Sequence, residues 1–287
     1  MNINKVSKNN RGYPRILANL SSPPKQLFWQ GESLQNLLNM PRVTIIGSRS
    51  MTNYGRRVTE QLASELASQG VVIVSGLALG VDTIAHQSAI RAGGQCLAVL
   101  PSCIEKIVPR SNLQLAQKIL DNRGVLLSEY AVDQPTFKQN FVARNRIMAG
   151  LADAVLITEA NLKSGTMHTA RFALEQGIDV LAVPGDIYSK ASEGTNSLIK
   201  SGAIPVTETK DVLNALGLNT KIISFKKPKG SNLAQQTILD LIMSGENSAE
   251  QLLIKSQMDV NVFNQTITML EITSKIRPLG ANCWAIA

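Results

Sequence analysis

Residues 41–82, PRVTIIGSRSMTNYGRRVTEQLASELASQGVVIVSGLALGVD, contain the pattern that decides the fold. A short, apolar and largely β-branched run at 43–46 is followed by a polar turn, and a second such run stands at 71–74. Between the two runs, apolar side chains recur at every fourth position, at Val58, Leu62 and Leu66. This spacing predicts an amphipathic helix, so we expect a strand, a helix and a second, parallel strand.

The same alternation continues through most of the chain. Further short and continuously apolar runs stand at 96–100, 125–127, 154–157 and 180–183. Helix-like segments separate most of them, for example at 113–120 and 166–176. Strands that are buried on both faces have this continuous apolar character. We therefore predict an α/β fold with a mostly parallel, doubly wound sheet, helices on both faces and right-handed crossovers.

Shifts in composition divide the chain into four parts. Residues 1–40 are basic, and we expect this lead-in to pack on the main domain at 41–220. Residues 221–231 hold four lysines, one proline and one glycine, which is typical of a linker. Beyond them, helix candidates at 233–243, 249–255 and 260–274 precede two short runs that predict a hairpin at 276–286. This succession over 232–287 predicts a small winged-helix domain.

The composition favours a folded protein with an anionic partner. Of the 287 residues, 44% are hydrophobic and 17% are charged, and the formal net charge is +8. Such a positive excess is typical of proteins that bind nucleic acid, phosphate ligands or anionic membranes, although a basic surface without a partner gives the same count. The N-terminus lacks the apolar core of a secretion signal, and the most apolar stretch is too short for a membrane span. We therefore expect a cytoplasmic protein without a membrane partner.

Metal and cofactor sites are not expected. Three scattered cysteines and two histidines do not provide a zinc site or a disulfide framework. The chain also lacks the glycine-rich fingerprints of dinucleotide-binding and P-loop proteins.

Small and basic residues follow four of the predicted strands. The segments are GSR at 47–49, SGLALG at 75–80, EANLKSGT at 159–166 and PGD at 184–186. Ligands of open α/β sheets bind at the carboxyl ends of the strands, where helix N-termini also present N–H groups to anions. Arg49, Lys163 and the pair Arg144 and Arg146, which we expect to open a helix, add positive charge. The pattern favours a phosphate-binding surface, although a single glycine after a strand is more often only a turn.

These motifs, in this order, resemble the DNA-processing protein A (DprA, or Smf) family. The resemblance covers residues 11–207 and rests on Tyr13-Pro14, GSR at 47–49, TNYG at 52–55, SGLALGVD at 75–82, LLSEY at 126–130, RNRIMAG at 144–150, EANLKSGT at 159–166 and AVPG at 182–185. It implies an extended Rossmann-like domain and, in the tail, the winged-helix module that many members carry. It also implies a homodimer that binds single-stranded DNA and helps to load RecA recombinase during natural transformation, with no established catalytic reaction.

The resemblance assigns DNA-binding positions residue by residue. Arg49 and Lys163 match positions at which the family grips DNA, and the same motifs contain Ser48, Gly76, Arg144, Arg146, Ser164, Gly165 and Thr166. The chain departs from the family pattern at VPRSN (108–112), EYA (129–131) and FVARNR (141–146), where two prolines and a tyrosine are replaced. These departures are expected to alter loop rigidity more than function.

Two other functions remain open at the level of sequence. A nucleotide-binding or nucleotide-hydrolysing enzyme would use Asp82, Glu129 or Glu159 as acid or base, but no nucleophile, base and orienting group accompany them. These acids are instead expected to cap helices or to pair with the arginines at 144 and 146. The C-terminal domain favours a protein contact or a weak duplex contact, because residues 260–274 contain no Lys or Arg.

Overall fold

The apolar runs become strands of one sheet in the computed structural model, which describes residues 3–218, 230–273, 275–280 and 282–286. The chain divides into two units, Met1–Lys221 and Ile222–Ala287. In the described part of the first unit the sheet has nine strands. They are β1 (Asn4–Ser7), β2 (Gln26–Gly31), β3 (Arg42–Ile46), β4 (Val72–Ser75), β5 (Cys96–Leu100), β6 (Val125–Ser128), β7 (Ala154–Ile157), β8 (Asp179–Ala182) and β9 (Ile204–Pro205).

The strand order is β1-β2-β6-β5-β4-β3-β7-β8-β9. All neighbours from β6 to β9 are parallel, whereas the β1–β2 and β2–β6 pairs are antiparallel. The chain runs outward from β3 to β6 and then returns to β7, on the other side of β3. Ligands of doubly wound sheets bind at such a reversal, outside the carboxyl ends of the strands. The prediction of a doubly wound, mostly parallel α/β sheet is therefore confirmed, and its switch point lies between β3 and β7.

Helices cover both faces of this sheet. They are α1 (Arg15–Ala18), α2 (Leu34–Leu38), α3 (Asn53–Ser68), α4 (Val81–Arg91), α5 (Leu113–Asp121), α6 (Lys138–Leu151), α7 (Thr166–Glu175), α8 (Glu193–Lys200) and α9 (Thr209–Ala215). Successive strand residues point to opposite faces, so Ile45 packs in one core with Leu66 of α3. Ile46 packs in the other core with Ile147 of α6. Among the described residues, no helix has the length and hydropathy of a membrane-spanning segment.

Residues 1–40 contribute more to the main domain than the predicted lead-in. They supply β1, α1, β2 and α2, and β2 pairs with β6 so that Phe28 lies opposite Ser128. Leu27 of β2 is fully buried. The segment QLFWQG at 26–31 escaped prediction because glutamines and a glycine interrupt its apolar character.

The second unit has three helices and a hairpin in its described residues. These are α10 (Leu233–Met243), α11 (Ala249–Ser256), α12 (Val260–Ile272) and the antiparallel pair β10 (Ile276–Gly280) and β11 (Cys283–Ile286). The buried cluster contains Ile238, Leu239, Ile242, Leu252, Phe263, Ile267, Leu270 and Ile276, with Leu253 only partly buried beside it. The assignment as a winged helix stays a prediction. Most of the predicted linker, residues 221–229, lies outside the described residues.

Candidate functional site

A cavity of about 460 Å³ opens at the switch point of the sheet. The segment after β3, the middle of α6 and the first turn of α7 supply most of its wall. Its polar and glycine residues are Gly47, Ser48, Arg49, Ser50, Asp82, Arg144, Asn145, Asn161, Ser164, Gly165, Thr166 and Thr169. Of the residues predicted to bind DNA, Ser48, Arg49, Arg144, Ser164, Gly165 and Thr166 thus come together in one place. We call this space the Arg49 cavity.

Arg144 places a positive charge deep in the Arg49 cavity. Its side chain is buried, and its Nη1 donates hydrogen bonds to the carbonyl oxygens of Gly76, at 2.5 Å, and Val99, at 2.7 Å. Burial lowers the pKa of Arg144 to about 10, while the neighbouring carboxylate of Asp82 acts in the opposite direction. The guanidinium therefore stays protonated at neutral pH. Gly76 does not line the cavity; it lies beneath Arg144, where it accepts this hydrogen bond.

The prediction that residues 144–146 open a helix is wrong. Helix α6 begins at Lys138, after Phe137 in extended conformation, so Arg144 and Arg146 lie near its middle. The first turn, KQN, is polar and shows no apolar periodicity, which concealed the true start. This position inside the helix is what lets Arg144 reach back to the ends of the neighbouring strands.

Arg49 provides the accessible positive charge of the cavity. It is exposed, and its guanidinium carbon lies 5.4 Å from the ring centroid of Phe141 on α6. A cation–π contact of this kind holds the side chain over the cavity without neutralising its charge. Phe141 was not among the predicted binding residues. The signal that could have identified it is its position three residues before Arg144, which places it on the same face of α6.

The N-terminus of α7 closes another side of the cavity. Gly165 is the N-cap residue, and the Oγ of Ser164 accepts a hydrogen bond from the backbone N–H of Thr166 at 3.2 Å. The Oγ1 of Thr166 donates to the carbonyl oxygen of Gly47 at 3.1 Å, which ties the helix start to the end of β3. A helix N-terminus carries partial positive charge and attracts anions. Lys163 is exposed beside this turn but does not line the cavity itself.

Arg146 lies apart from the other predicted residues. It forms an ion pair with Glu129, in which each side chain is 14% exposed, and both residues line a separate cavity of about 370 Å³. Burial, with Glu129 close by, raises the pKa of Tyr130 in the same cavity to about 12. The structure therefore does not bring Arg146 into the Arg49 cavity.

The three acids considered for catalysis are engaged in structural contacts. Asp82 is buried and its Oδ2 accepts a hydrogen bond from the backbone N–H of Gly76 at 3.1 Å. Glu159 accepts hydrogen bonds from the backbone N–H and the hydroxyl of Thr52, the N-cap of α3. Burial raises the pKa of Asp82, against the lowering effect of Arg144. Within the described part of the chain, no group of three or more His, Cys, Asp or Glu side chains could hold a metal ion.

The two histidines have different environments, and neither lines the Arg49 cavity. His86 on α4 is fully buried, and burial together with the charge of Arg144 lowers its pKa to about 3. It is therefore neutral under physiological conditions. His168 is exposed on α7.

Comparison with known proteins shows that most of the chain matches one protein family. The sequence model of the family described as DNA recombination-mediator protein A matches residues 4–217. Protein Smf of Escherichia coli is 43% identical over 204 residues, which cover 71% of this chain and 54% of that protein. The DNA processing protein DprA of Streptococcus pneumoniae is 39% identical over 201 residues, covering 70% of each chain. The chain thus spans about half the length of the Escherichia coli relative.

Two solved structures of DNA processing protein A also superpose on most of this chain. The DprA structure from Streptococcus pneumoniae superposes with a TM-score of 0.69 at 37% identity and covers 74% of both chains. That of DNA processing protein A from Helicobacter pylori, described for its single-stranded DNA binding mode, has a TM-score of 0.67 at 36% identity. It covers 75% of this chain and 95% of the other.

Proposed function

The chain belongs to the DNA recombination-mediator protein A family, and we propose that it is a DNA-processing protein that binds single-stranded DNA without sequence preference. The Arg49 cavity is the observation that carries this proposal. It combines an exposed arginine, a buried arginine and the N-terminus of a helix at the switch point of the sheet. Each of these features favours a phosphate group, and none of them reads a base.

The proposed binding is mainly electrostatic. Arg49 over the cavity and Lys163 beside the first turn of α7 are exposed, so both can contact successive phosphates of a strand. The remaining predicted residues, Ser48, Ser164, Gly165 and Thr166, provide hydroxyl and backbone groups around the same space. Because Arg146 is paired with Glu129 outside this cavity, we assign it a structural role instead of DNA contact.

Removing the exposed charges tests the proposal. Arg49→Ala and Lys163→Ala should each weaken binding of a labelled single strand at low salt. Each should also flatten the dependence of log K on log salt by about 0.7 for every phosphate contact that is lost. Lys118→Ala is the matched control, since Lys118 is exposed on α5 and does not line the cavity. Unchanged affinity and slope in both site variants would contradict the proposal.

We further propose a recombination-mediator role, as the family description suggests. In this role a cytoplasmic homodimer protects incoming single strands and helps to load RecA recombinase during natural transformation. RecA-dependent ATP hydrolysis on single strands coated with a single-strand-binding protein tests this role. The full chain should accelerate that hydrolysis and Arg49→Ala should not, whereas an equal rate with and without the protein would exclude RecA loading. Sedimentation analysis should give the mass of two chains.

The second unit is proposed to be a winged helix that contacts protein or, weakly, duplex DNA. Helix α12, at the recognition position of such a domain, carries no Lys or Arg over 260–272, whereas readers of the major groove need donors there. A chain that ends before residue 230 should therefore keep its affinity for single strands. Loss of that affinity in a truncated protein that still unfolds cooperatively would show that the second unit takes part.

No enzymatic role is proposed for the acids. Asp82, Glu129 and Glu159 already hold backbone groups or an arginine in place. A nucleotide-hydrolysis assay provides the check, and turnover that disappears in Glu159→Ala would support the enzyme alternative.

A further inference from the structure

A further cavity of about 610 Å³, which we call the Tyr54 cavity, lies on the same edge of the sheet as the Arg49 cavity. It is bounded by the start of α3 and by the loop after β8, and it is lined by Thr52, Tyr54, Pro184, Gly185, Asp186, Ser189 and Ser192. Both bounding segments follow the carboxyl ends of strands. The cavity therefore opens on the edge at which doubly wound sheets bind their ligands.

Hydrogen bonds hold the floor of the Tyr54 cavity in place. Tyr54 is 41% exposed, and its hydroxyl donates a hydrogen bond to the carbonyl oxygen of Pro184 at 2.7 Å. The side-chain amide of Asn196 holds both the N–H and the carbonyl oxygen of Gly185, at 3.2 and 3.0 Å. A Cβ on Gly185 would come within 2.2 Å of the Oγ of Ser192, so the loop packs too closely for any side chain there. The ring of Tyr54 is thus fixed with part of its surface in solvent.

Two large and exposed side chains lie on the loop that lines this cavity, between the lining residues Asp186 and Ser189. Tyr188 is 90% exposed and Ile187 is 78% exposed. The turn that presents them is ordered, since the backbone N–H of Tyr188 donates to the Oδ1 of Asp186 at 2.9 Å and that of Ser189 donates to the Asp186 carbonyl oxygen at 3.1 Å. Single exposed apolar residues are ordinary, but adjacent ones held on a hydrogen-bonded turn, on a loop that lines the same cavity as a partly exposed tyrosine, form a surface that can receive a flat ligand.

The two cavities are close enough to serve one strand. Ser50 lines the Arg49 cavity and Thr52 lines the Tyr54 cavity, so a single residue, Met51, separates them, and their Cα atoms are at most about 7 Å apart. Thr52 is in turn anchored to Glu159. A strand with a phosphate at Arg49 therefore has its neighbouring nucleotides within reach of Tyr54 and of the loop that carries Tyr188.

We infer that Tyr188, together with Tyr54, forms a nucleobase-stacking subsite for the strand whose phosphates occupy the Arg49 cavity. This inference rests on the proposed single-stranded DNA binding. A tyrosine ring stacks on any base, so the subsite adds affinity without sequence preference. Arg57 lies close enough to act electrostatically on Tyr54, and Lys190 is exposed on the same loop, which also carries the carboxylate of Asp186. A chain with only 4% aromatic residues thereby places two of its tyrosines at the proposed DNA path.

The test compares an intact thymidine oligonucleotide with an abasic oligonucleotide of equal length and charge, using the full chain. Wild-type protein should bind the intact strand more tightly. Tyr188→Ala should lose about fivefold or more of that affinity and should bind the abasic strand as wild type does. Tyr188→Phe keeps the ring and should keep the affinity. Because Tyr188 is exposed, these variants do not disturb the core, and Leu113→Ala, also exposed but on α5, is the matched control.

The outcomes separate this inference from the proposed function. If wild-type protein binds neither strand, both are overturned. If it binds both strands equally, or if Tyr188→Ala matches wild type on the intact strand, only the stacking subsite is overturned. A Tyr188→Ala variant whose single-strand affinity is unchanged but whose sedimentation mass is halved would show instead that the surface binds a second copy of the chain.

Discussion

Substitution of Gly76 by alanine tests the way in which the Arg49 cavity is built. A Cβ on Gly76 would lie 2.2 Å from Nη1, 2.4 Å from Cζ and 2.6 Å from Nη2 of Arg144. Because these distances are far below van der Waals contact, the guanidinium must move. It would then lose its hydrogen bonds to the carbonyl oxygens of Gly76 and Val99.

The expected cost follows from those two hydrogen bonds. A hydrogen bond that involves a charged group contributes about 1.5–3 kcal/mol. Alanine restricts the unfolded chain more than glycine does, which stabilises the folded protein by about 0.4–1 kcal/mol. If the displaced guanidinium recovers one partner, one such hydrogen bond is lost, so Gly76→Ala should lower the free energy of unfolding by about 1–2.5 kcal/mol. It should also weaken binding of single strands, since the buried charge of the cavity is displaced.

Urea unfolding followed by tryptophan fluorescence measures this cost. The chain has two tryptophans, Trp29 in the first unit and Trp284 in the second, so a Trp284→Phe background makes Trp29 the reporter of the domain in question. Gly165→Ala is the control, because a Cβ at Gly165 meets nothing within 4 Å and its φ of −57° suits alanine. Gly76→Ala unfolding within about 0.5 kcal/mol of its parent would refute the packing argument.

Three further predictions concern stability. The folded-state pKa of His86 is about 3, whereas its ordinary value is 6.5, so the unfolded state binds one extra proton between these pH values. The free energy of unfolding should therefore fall as the pH drops below 6.5, by about 2 kcal/mol at pH 5. Urea titrations at several pH values should show that His86→Leu lacks this pH-dependent loss. Arg146→Met leaves Glu129 without its partner and should cost about 3 kcal/mol, much of which the double variant with Glu129→Gln should restore; equal losses in the single and double variants would contradict the pairing. Thr52→Ala removes the side-chain cap of α3 and its hydrogen bond to Glu159 and should cost about 1 kcal/mol by thermal unfolding, whereas an unchanged melting temperature would refute the capping role.

Much of the fold could be predicted because strands that are buried on both faces appear in the sequence as continuous apolar runs. The runs at 43–46 and 71–74 are apolar without interruption, since both faces of the sheet are covered. The strand Gln26–Gly31 has no continuous apolar run of this length. It lies near the edge of the sheet, with glutamines at its first and fifth positions, and only its pairing with β6 shows that it is part of the sheet.

The site was predicted in part, for a geometric reason. The motifs that follow the strands lie at one edge of the sheet, as predicted, because the carboxyl ends of parallel strands meet at that edge. Arg144 and Arg146 stand two residues apart on a helix, which turns them about 200° away from each other, so only one can face the cavity. The sequence pattern also did not show Phe141 beneath Arg49 or the exposure of Tyr188, because both depend on tertiary contacts between segments that are distant in the chain.

A salt series of fluorescence anisotropy titrations tests the proposed DNA binding most directly. Wild-type protein is titrated against a labelled single strand and against its matched duplex. We predict tighter binding of the single strand, with log K falling linearly with log salt by about 0.7 for each phosphate contact. Equal affinity for the two forms, or affinity that does not change with salt, would contradict the claim that the Arg49 cavity binds the phosphates of single-stranded DNA.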